Sequence, residues 1–187
     1  VKAEALVIAA SAAGAQAVKF QSYTSEEICA DVPLAFGHDP QHDAWLRNLG
    51  VTTMRQLFSK GGLPRAWHRP LKEVAESLGI AFLSTPFSVD AARFLVEEIG
   101  VSALKIASFD ITFEPLLTYA ASTGLPVILS TGGAEWDEIW RAIVPGSQLH
   151  QHLILLHCLA LYPCPDVDAN IRAIHTLKGF GCPDGWS

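Results

Sequence analysis

Basic residues, paired cysteines and long apolar runs are scarce in this sequence. It has 13 Lys and Arg against 19 Asp and Glu, and the resulting net charge of −6 argues against general nucleic-acid binding. Charged or polar residues interrupt every apolar run well short of a membrane span, so no membrane segment is expected. The four cysteines form no CxxC pair and no zinc-like spacing, which favours reduced structural thiols in a cytoplasmic protein over a disulfide or a reactive thiol.

The composition is that of a globular protein. Hydrophobic residues make up 50% of the 187 residues and charged residues 17%, enough apolar material for one sizeable core. We therefore expect a single domain over 1–187.

Five short apolar runs each end in a small polar cluster. Runs of this length are typical of strands buried on both faces, and they recur about once per strand-loop-helix-loop unit. Parallel strands with polar carboxyl ends indicate a barrel or an open α/β sheet whose active site lies at that end. The predicted strands are 17–21, 81–85, 103–107, 127–131 and 153–158.

Helical periodicity and glycine stops place the helices between these strands. The segment 22–64 is longer than an ordinary connection, mostly non-periodic and a candidate functional loop. The chain ends in Gly185-Trp186-Ser187, which has the pattern of a further strand end, and its first helix follows no strand. We expect an excerpt of a closed barrel rather than a complete open sheet. Helices are predicted at 3–13, 53–60, 67–78, 94–99, 116–120, 136–143 and 171–177.

Lys19 and Lys105 are the most informative pair. Each lies within a strand predicted to be buried, where lysine is rare without a partner. Two inward ammonium groups repel one another unless an anion lies between them. An anionic ligand therefore explains both, and the alternative is a salt bridge to an acid such as Asp110.

Hydroxyl groups at the strand ends extend this hypothesis to phosphate. Thr85, Ser108 and Ser130 can donate to an anion, although Ser and Thr at these positions also serve as helix N-caps. The Gly132-Gly133 pair can bring backbone amides close to an oxyanion. Gln21 could orient a substrate hydroxyl or satisfy a loop carbonyl.

Histidines and tryptophans give weaker signals. His157 at a strand end could be an acid–base group or a metal ligand, but the structural role is favoured. His38 and His42 are four residues apart in a loop without fixed geometry, so we predict no metal site there. Trp136 and Trp140 are expected in a helix core.

Taken in order, the motifs resemble those of the sialic acid synthase family, which includes neuraminate, legionaminate and pseudaminate synthases and spore-coat polysaccharide relatives. The resemblance implies a TIM (β/α)8 barrel that condenses phosphoenolpyruvate with the open-chain aldehyde of an N-acetylated amino sugar and releases phosphate. The motifs are VKFQSY at 18–23, FLSTPF at 82–87, LKIASFDIT at 104–112, VILSTG at 127–132, LLHC at 155–158, the Tyr162-Pro163 pair and GWS at 185–187.

The resemblance also implies roles for individual positions. Gln21 and Tyr162 match positions near the sugar, and the two lysines are the expected catalytic cations. A phenylalanine at position 109 is similar to the pseudaminate and spore-coat branches of the family. Leu159 and Ala160 stand where the family usually has polar residues after the LLHC motif. The positions that match phosphoenolpyruvate-binding residues are Lys19, Thr85, Lys105, Ser108, Ser130 and Ser187.

Parts of the family pattern are expected to lie outside this chain. The resemblance implies a manganese or magnesium ion whose histidine ligands would follow Ser187. It also implies that the first and last strands of the barrel are missing from this chain. In the family a C-terminal antifreeze-like domain supplies an arginine to the partner subunit's site in a homodimer, and this domain is likewise expected to be absent here. We therefore expect the chain alone to be inactive.

Two other functions stay open from the residues. A class I aldolase-like barrel would use Lys105 as a Schiff base, which requires a lowered lysine pKa. A non-catalytic sugar- or phosphate-binding relative would explain Ala160.

Overall fold

Six parallel strands and nine α-helices form the described part of the computed structural model, which covers residues 2–35, 40–143, 152–161 and 164–187. The strands are β1 (Ala17–Ser22), β2 (Ala81–Pro86), β3 (Leu104–Ile106), β4 (Val127–Ser130), β5 (Leu153–His157) and β6 (Asp184–Trp186). The helices are α1 (Lys2–Ala12), α2 (Ser25–Ile28), α3 (Pro40–Asn48), α4 (Met54–Gly61), α5 (Arg65–Ser77), α6 (Val89–Arg93), α7 (Glu114–Ser122), α8 (Trp136–Ile143) and α9 (Ala173–Leu177). A π-helical stretch, Phe94–Ile99, continues α6.

The strands form two hydrogen-bonded groups. β1 pairs with β2, and β3, β4, β5 and β6 pair in that order, all in parallel. β2 lies beside β3 without a ladder between them. Strands that neighbour one another in chain order, with helices between them, have the topology of part of a (β/α)8 barrel. The predicted strand at the end of the chain is confirmed as β6.

The main core lies between the strands and the helices. Alternate residues of β3, β4 and β5 point to this layer and are almost fully buried. Left-handed glycines end two of the covering helical segments, with φ of 73° at Gly79 and 70° at Gly100, as the sequence predicted. The opposite face of the strands, which we call the inner face, is left for polar residues. The helix-facing residues are Leu104, Ile106, Val127, Leu129, Leu153 and Leu155.

The segment after β1 is more ordered than its sequence suggests. It contains α2, α3 and α4, where one short helix was predicted. Thr24 and Glu27 form a capping box on α2, and Thr53 caps α4. A small separate core of Leu34, Leu46 and Val51 holds this lobe together.

The two tryptophans of α8 do not lie in the core. Trp136 and Trp140 are 52% and 53% exposed and pack against the buried Phe180 with ring centroids 4.8 and 5.8 Å apart. Their spacing of four residues predicts that they face the core, but Ile139 and Ile143 are the residues of α8 that face it.

None of the helices in the described ranges combines the length and the apolar character that a membrane span requires.

Candidate active site at the carboxyl ends of the strands

Lys19, Gln21 and Thr85 lie on the inner face of the β1–β2 pair. In the parallel register Lys19 is opposite Leu83 and Gln21 is opposite Thr85, so these side chains share a face. Val18 and Phe20 alternate with them and pack against the helix layer. The strand period therefore separates the polar residues of β1 from the core, whereas the sequence predicted a strand buried on both faces.

Lys105 and Ser130 occupy the inner face of the second sheet. Lys105 is opposite Ile128, and Ser130 follows two residues later on the same face of β4. The Lys105 Nζ donates to Ser130 Oγ at 2.5 Å and to the Ile106 carbonyl at 2.8 Å. Two neutral acceptors thus orient the ammonium group without neutralising its charge.

The environment of Lys105 is unusual for a lysine. It is only 6% exposed, and it forms no ion pair with any carboxylate in the described ranges. Burial lowers its pKa to about 8, and the like charge of Lys19 contributes in the same direction. With a pKa near 8, about nine tenths of the side chain is still protonated at pH 7. The alternative to an anionic ligand, a salt bridge to Asp110, is not formed.

The prediction that Lys19 is buried is wrong, since its side chain is exposed. Among the described strands β1 pairs only with β2, and its inner-face residues are exposed. Partial burial of the ammonium group still lowers its pKa. The strand registers place both lysines on the inner face, and the charge of Lys19 contributes to the lowered pKa of Lys105. This is the arrangement that the anion-site hypothesis requires.

Ser108 joins the loops that follow β3, β4 and β5. Its Oγ accepts a hydrogen bond from the Gly132 N–H at 3.0 Å and lies 3.0 Å from the Cys158 Sγ. A Cβ at Gly132 would lie 2.7 Å from that sulfur, so only glycine fits. The Gly132 amide, predicted to be available for an oxyanion, is instead used to hold Ser108.

Asp110 belongs to the site, although the sequence indicated it only as a salt-bridge partner. Its Oδ2 is buried without a hydrogen-bond partner among the described residues. Burial raises its pKa to about 6, and the charge of Lys105 opposes that rise. A carboxyl group with this pKa can take up or release a proton near neutral pH. Its place two residues after Ser108, inside the polar cluster that ends a strand, was the available signal.

The remaining candidates are spread more widely. Ser187 follows β6, where its N–H donates to the His157 carbonyl at 2.9 Å, three strands from Lys105. The His157 side chain lies on the helix-facing side, with Nε2 at 3.0 Å from the Ala169 carbonyl, which favours the structural role. Tyr162 lies outside the described residues.

The described residues provide no set of metal ligands. They contain no group of three or more His, Cys, Asp or Glu side chains that could hold an ion. His38 lies outside the described residues, as does the side chain of His42. All four cysteines are free. The described residues therefore do not supply the ligands of the divalent ion that the resemblance implies.

The chain is similar to proteins from bacteria and archaea. It is 40% identical over 184 residues to an uncharacterized protein of Methanocaldococcus jannaschii, covering 97% of this chain and 49% of that protein. It is 35% identical to the N,N'-diacetyllegionaminic acid synthase of Legionella pneumophila, covering 99% and 52% respectively. The chain thus spans about half the length of the curated relatives it matches.

A solved structure supports the same relationship. The crystal structure of N-acetylneuraminic acid (sialic acid) synthetase from Leptospira borgpetersenii matches with a TM-score of 0.79 and 37% identity. The match covers 98% of this chain and 58% of that one, which confirms a partial α/β barrel. The NeuB family model matches residues 6–187. The family model covers nearly the whole chain and the solved structure shares its fold, so the chain belongs to the NeuB family.

Proposed function

We propose that this chain takes part in the synthesis of a nonulosonic acid by condensing phosphoenolpyruvate with the open-chain form of an N-acetylated amino sugar. The named relatives support the product class, since they include an N,N'-diacetyllegionaminic acid synthase and an N-acetylneuraminic acid (sialic acid) synthetase. The divalent ion, the homodimer and the cytoplasmic location implied by the family resemblance stay predictions.

One observation carries the choice of phosphoenolpyruvate. Lys105 is buried, is oriented by neutral acceptors and forms no ion pair among the described residues. Lys19 is its cationic neighbour, and the Asp110 carboxyl group interacts with it electrostatically without forming a salt bridge. Such a pair of cations favours a ligand with closely spaced negative charges. Phosphoenolpyruvate carries both a phosphate and a carboxylate, so one small molecule can neutralise both lysines.

The reaction sets the tasks of the other residues. The methylene carbon of phosphoenolpyruvate bonds to the sugar aldehyde carbon, whose oxygen takes up a proton and becomes a hydroxyl group. The hydroxyl of water adds to the adjacent carbon and the other proton of water is released. The bond between that carbon and the phosphate oxygen then breaks, so that phosphate leaves and a keto group remains. Lys19 and Lys105 would stabilise the anionic groups as charge moves towards phosphate. Asp110, with its pKa near 6, would exchange the proton of the added water. Ser108 and Ser130 would fix the position of the anion.

The test is phosphate release by the full-length protein with phosphoenolpyruvate, N-acetylmannosamine and manganese. Other N-acetylated amino sugars are assayed in parallel, and the product is checked by mass spectrometry. We expect phosphate release that requires both organic substrates and a product mass equal to sugar plus pyruvate. Phosphate release without sugar, or none with any sugar of this class, would contradict the proposal.

A Schiff-base aldolase is the second candidate, because Lys105 has the lowered pKa that such chemistry needs. The two functions differ in one experiment. Borohydride reduction in the presence of pyruvate traps a covalent adduct at Lys105 in a Schiff-base enzyme. We expect no adduct, since Lys105 is held by Ser130 and is mostly protonated at neutral pH.

A non-catalytic relative is favoured only by Ala160. A Cβ at Gly133 would lie 3.9 Å from the Ala160 Cβ, which places this small apolar residue beside the loops of the site. Binding of phosphoenolpyruvate by calorimetry, with no turnover of any N-acetylated sugar, would support that function.

A further inference from the structure

A chain of three buried polar side chains lies directly behind the active site. His68 and Ser84 are 0% exposed and Ser22 is 3% exposed. The Ser22 Oγ lies 2.6 Å from His68 Nε2 and 2.7 Å from Ser84 Oγ. None of the three faces the ligand side of the strands, since Ser22 and Ser84 alternate with the inner-face residues of β1 and β2.

The surroundings of His68 determine which group donates in each of these hydrogen bonds. Its Nδ1 lies 3.2 Å from the carbonyl oxygens of Pro64 and Arg65, which can only accept, so Nδ1 carries the proton. Burial lowers the His68 pKa, which keeps the ring neutral and leaves Nε2 as an acceptor. Ser22 therefore donates to His68 and Ser84 donates to Ser22. Every link is directional.

Hydrogen bonds of this kind specify position more than they stabilise the fold. Taking three polar groups out of water offsets most of the energy that their mutual hydrogen bonds contribute. Their value lies in fixed geometry, because a displaced strand would leave a buried donor or acceptor without a partner.

The β1–β2 pair is the part of the sheet that needs such an anchor. It has no hydrogen-bond ladder to the other four strands among the described residues. The anchor acts near the carboxyl ends of both strands, at Ser22 next to Gln21 and at Ser84 next to Thr85. The ring of His68 packs against Phe82 of β2 and Phe94, which fixes its own orientation on α5.

We infer that His68 is a positioning residue, which acts through Ser22 and Ser84 to hold Gln21 and Thr85, and with them Lys19, at the correct distance from Lys105. The inference rests on the proposed function where it concerns turnover. Its geometric part stands on the hydrogen bonds alone.

The kinetic test compares three variants in the full-length protein. His68→Leu keeps volume but removes the acceptor, His68→Gln restores an acceptor oxygen near the Nε2 position, and Ser84→Ala breaks only the last link. We expect His68→Leu to raise the KM for at least one substrate tenfold or more, His68→Gln to recover most of that loss, and Ser84→Ala to lie between.

Leu71→Ala is the matched control, since Leu71 lies one turn further along α5 and is 2% exposed. It should lower the melting temperature at least as much as His68→Leu, with KM values within twofold of the wild type. A wild-type KM in His68→Leu, or the same KM increase in Leu71→Ala, would overturn the positioning role. If His68→Leu does not fold, Ser84→Ala decides in the same way.

A second readout does not depend on turnover. Competitive labelling of amines across a pH series gives the pKa of Lys105 in each variant. Displacement of β1 would weaken the repulsion between Lys19 and Lys105. The Lys105 pKa should therefore rise in His68→Leu and Ser84→Ala but not in Leu71→Ala. Unchanged titration in both would overturn the inference. Inactivity of the wild type with every substrate, combined with the expected titration shifts, would overturn only the proposed function.

Discussion

β1 and β3 each carry one inward lysine, yet the two strands place these side chains in different environments. Every residue of β3 is buried, whereas the inner-face residues of β1 are exposed. Lys105 has a pKa near 8, and the pKa of Lys19 is lowered by partial burial. The difference comes from neighbours, because β3 lies between β2 and β4 while β1 has one neighbour among the described strands. Since both residues are lysines, the larger fall in the pKa of Lys105 comes mainly from its burial in the described structure.

The largest expected effect is on Lys105. Lys105→Met should reduce phosphoenolpyruvate consumption at least about a hundredfold, because a desolvated cation at the reacting anion stabilises developing charge. Steady-state rates of the full-length protein measure it. Lys72→Met is the control, since Lys72 pairs with Glu76 away from the site. Near-normal turnover in Lys105→Met would contradict the site.

The stability of the same variant has a pH signature. The Lys105 pKa falls from 10.5 unfolded to about 8 folded, so the folded state disfavours its ammonium group below pH 8. Lys105→Met should be no less stable than the wild type at pH 7. Its relative advantage should shrink as the pH rises from about 8 towards 10.5, where the unfolded chain also loses the proton.

Gly132→Ala tests how tightly the loops of the four-stranded group are packed. The added Cβ would meet the Cys158 Sγ at 2.7 Å, and we expect a loss of about 2–3 kcal/mol in the free energy of unfolding. Gly179→Ala is the matched control, because it has open space and no positive φ. Equal denaturation midpoints for both variants would show that the contact does not constrain the fold.

Asp110→Asn should stabilise the protein above pH 6. The Asp110 pKa rises from 3.8 to about 6 on folding, so the ionised carboxylate is disfavoured in the folded state. After allowance for solvent screening and for the lost attraction to Lys105, we expect about 1 kcal/mol at pH 7 to 8. The gain should vanish below about pH 4, where the carboxyl is protonated in both states. Urea denaturation at several pH values measures it, and a pH-independent difference would contradict the raised pKa.

The smallest expected effect is a change in the pKa of Lys105 on β3 when Lys19 on β1 is replaced. Lys19→Met should raise the pKa of Lys105 towards its ordinary value, because one of the two causes that lower it is removed. The rise should be partial, since burial is the larger cause. Competitive amine labelling measures it, with Lys60→Met as the control. No shift in Lys19→Met would mean that the two lysines do not share a site.

Elements with strong local signals were predicted well. The helix ends at Gly79 and Gly100 follow from single residues with a clear conformational preference. The lobe after β1 was predicted poorly, because α3 and its small core depend on contacts between distant residues such as Leu34 and Val51.

The sequence by itself determined the order of strands and helices, the family, and the polar positions at the strand ends, because apolar periodicity and ordered motifs are local properties. Only the tertiary structure decided that Lys105 is buried and Lys19 exposed, that Asp110 belongs to the site, and that His68 anchors β1 and β2. Each of these depends on which strand or helix lies alongside. Desolvation and hydrogen-bond partners arise from such neighbours, and no local pattern encodes them.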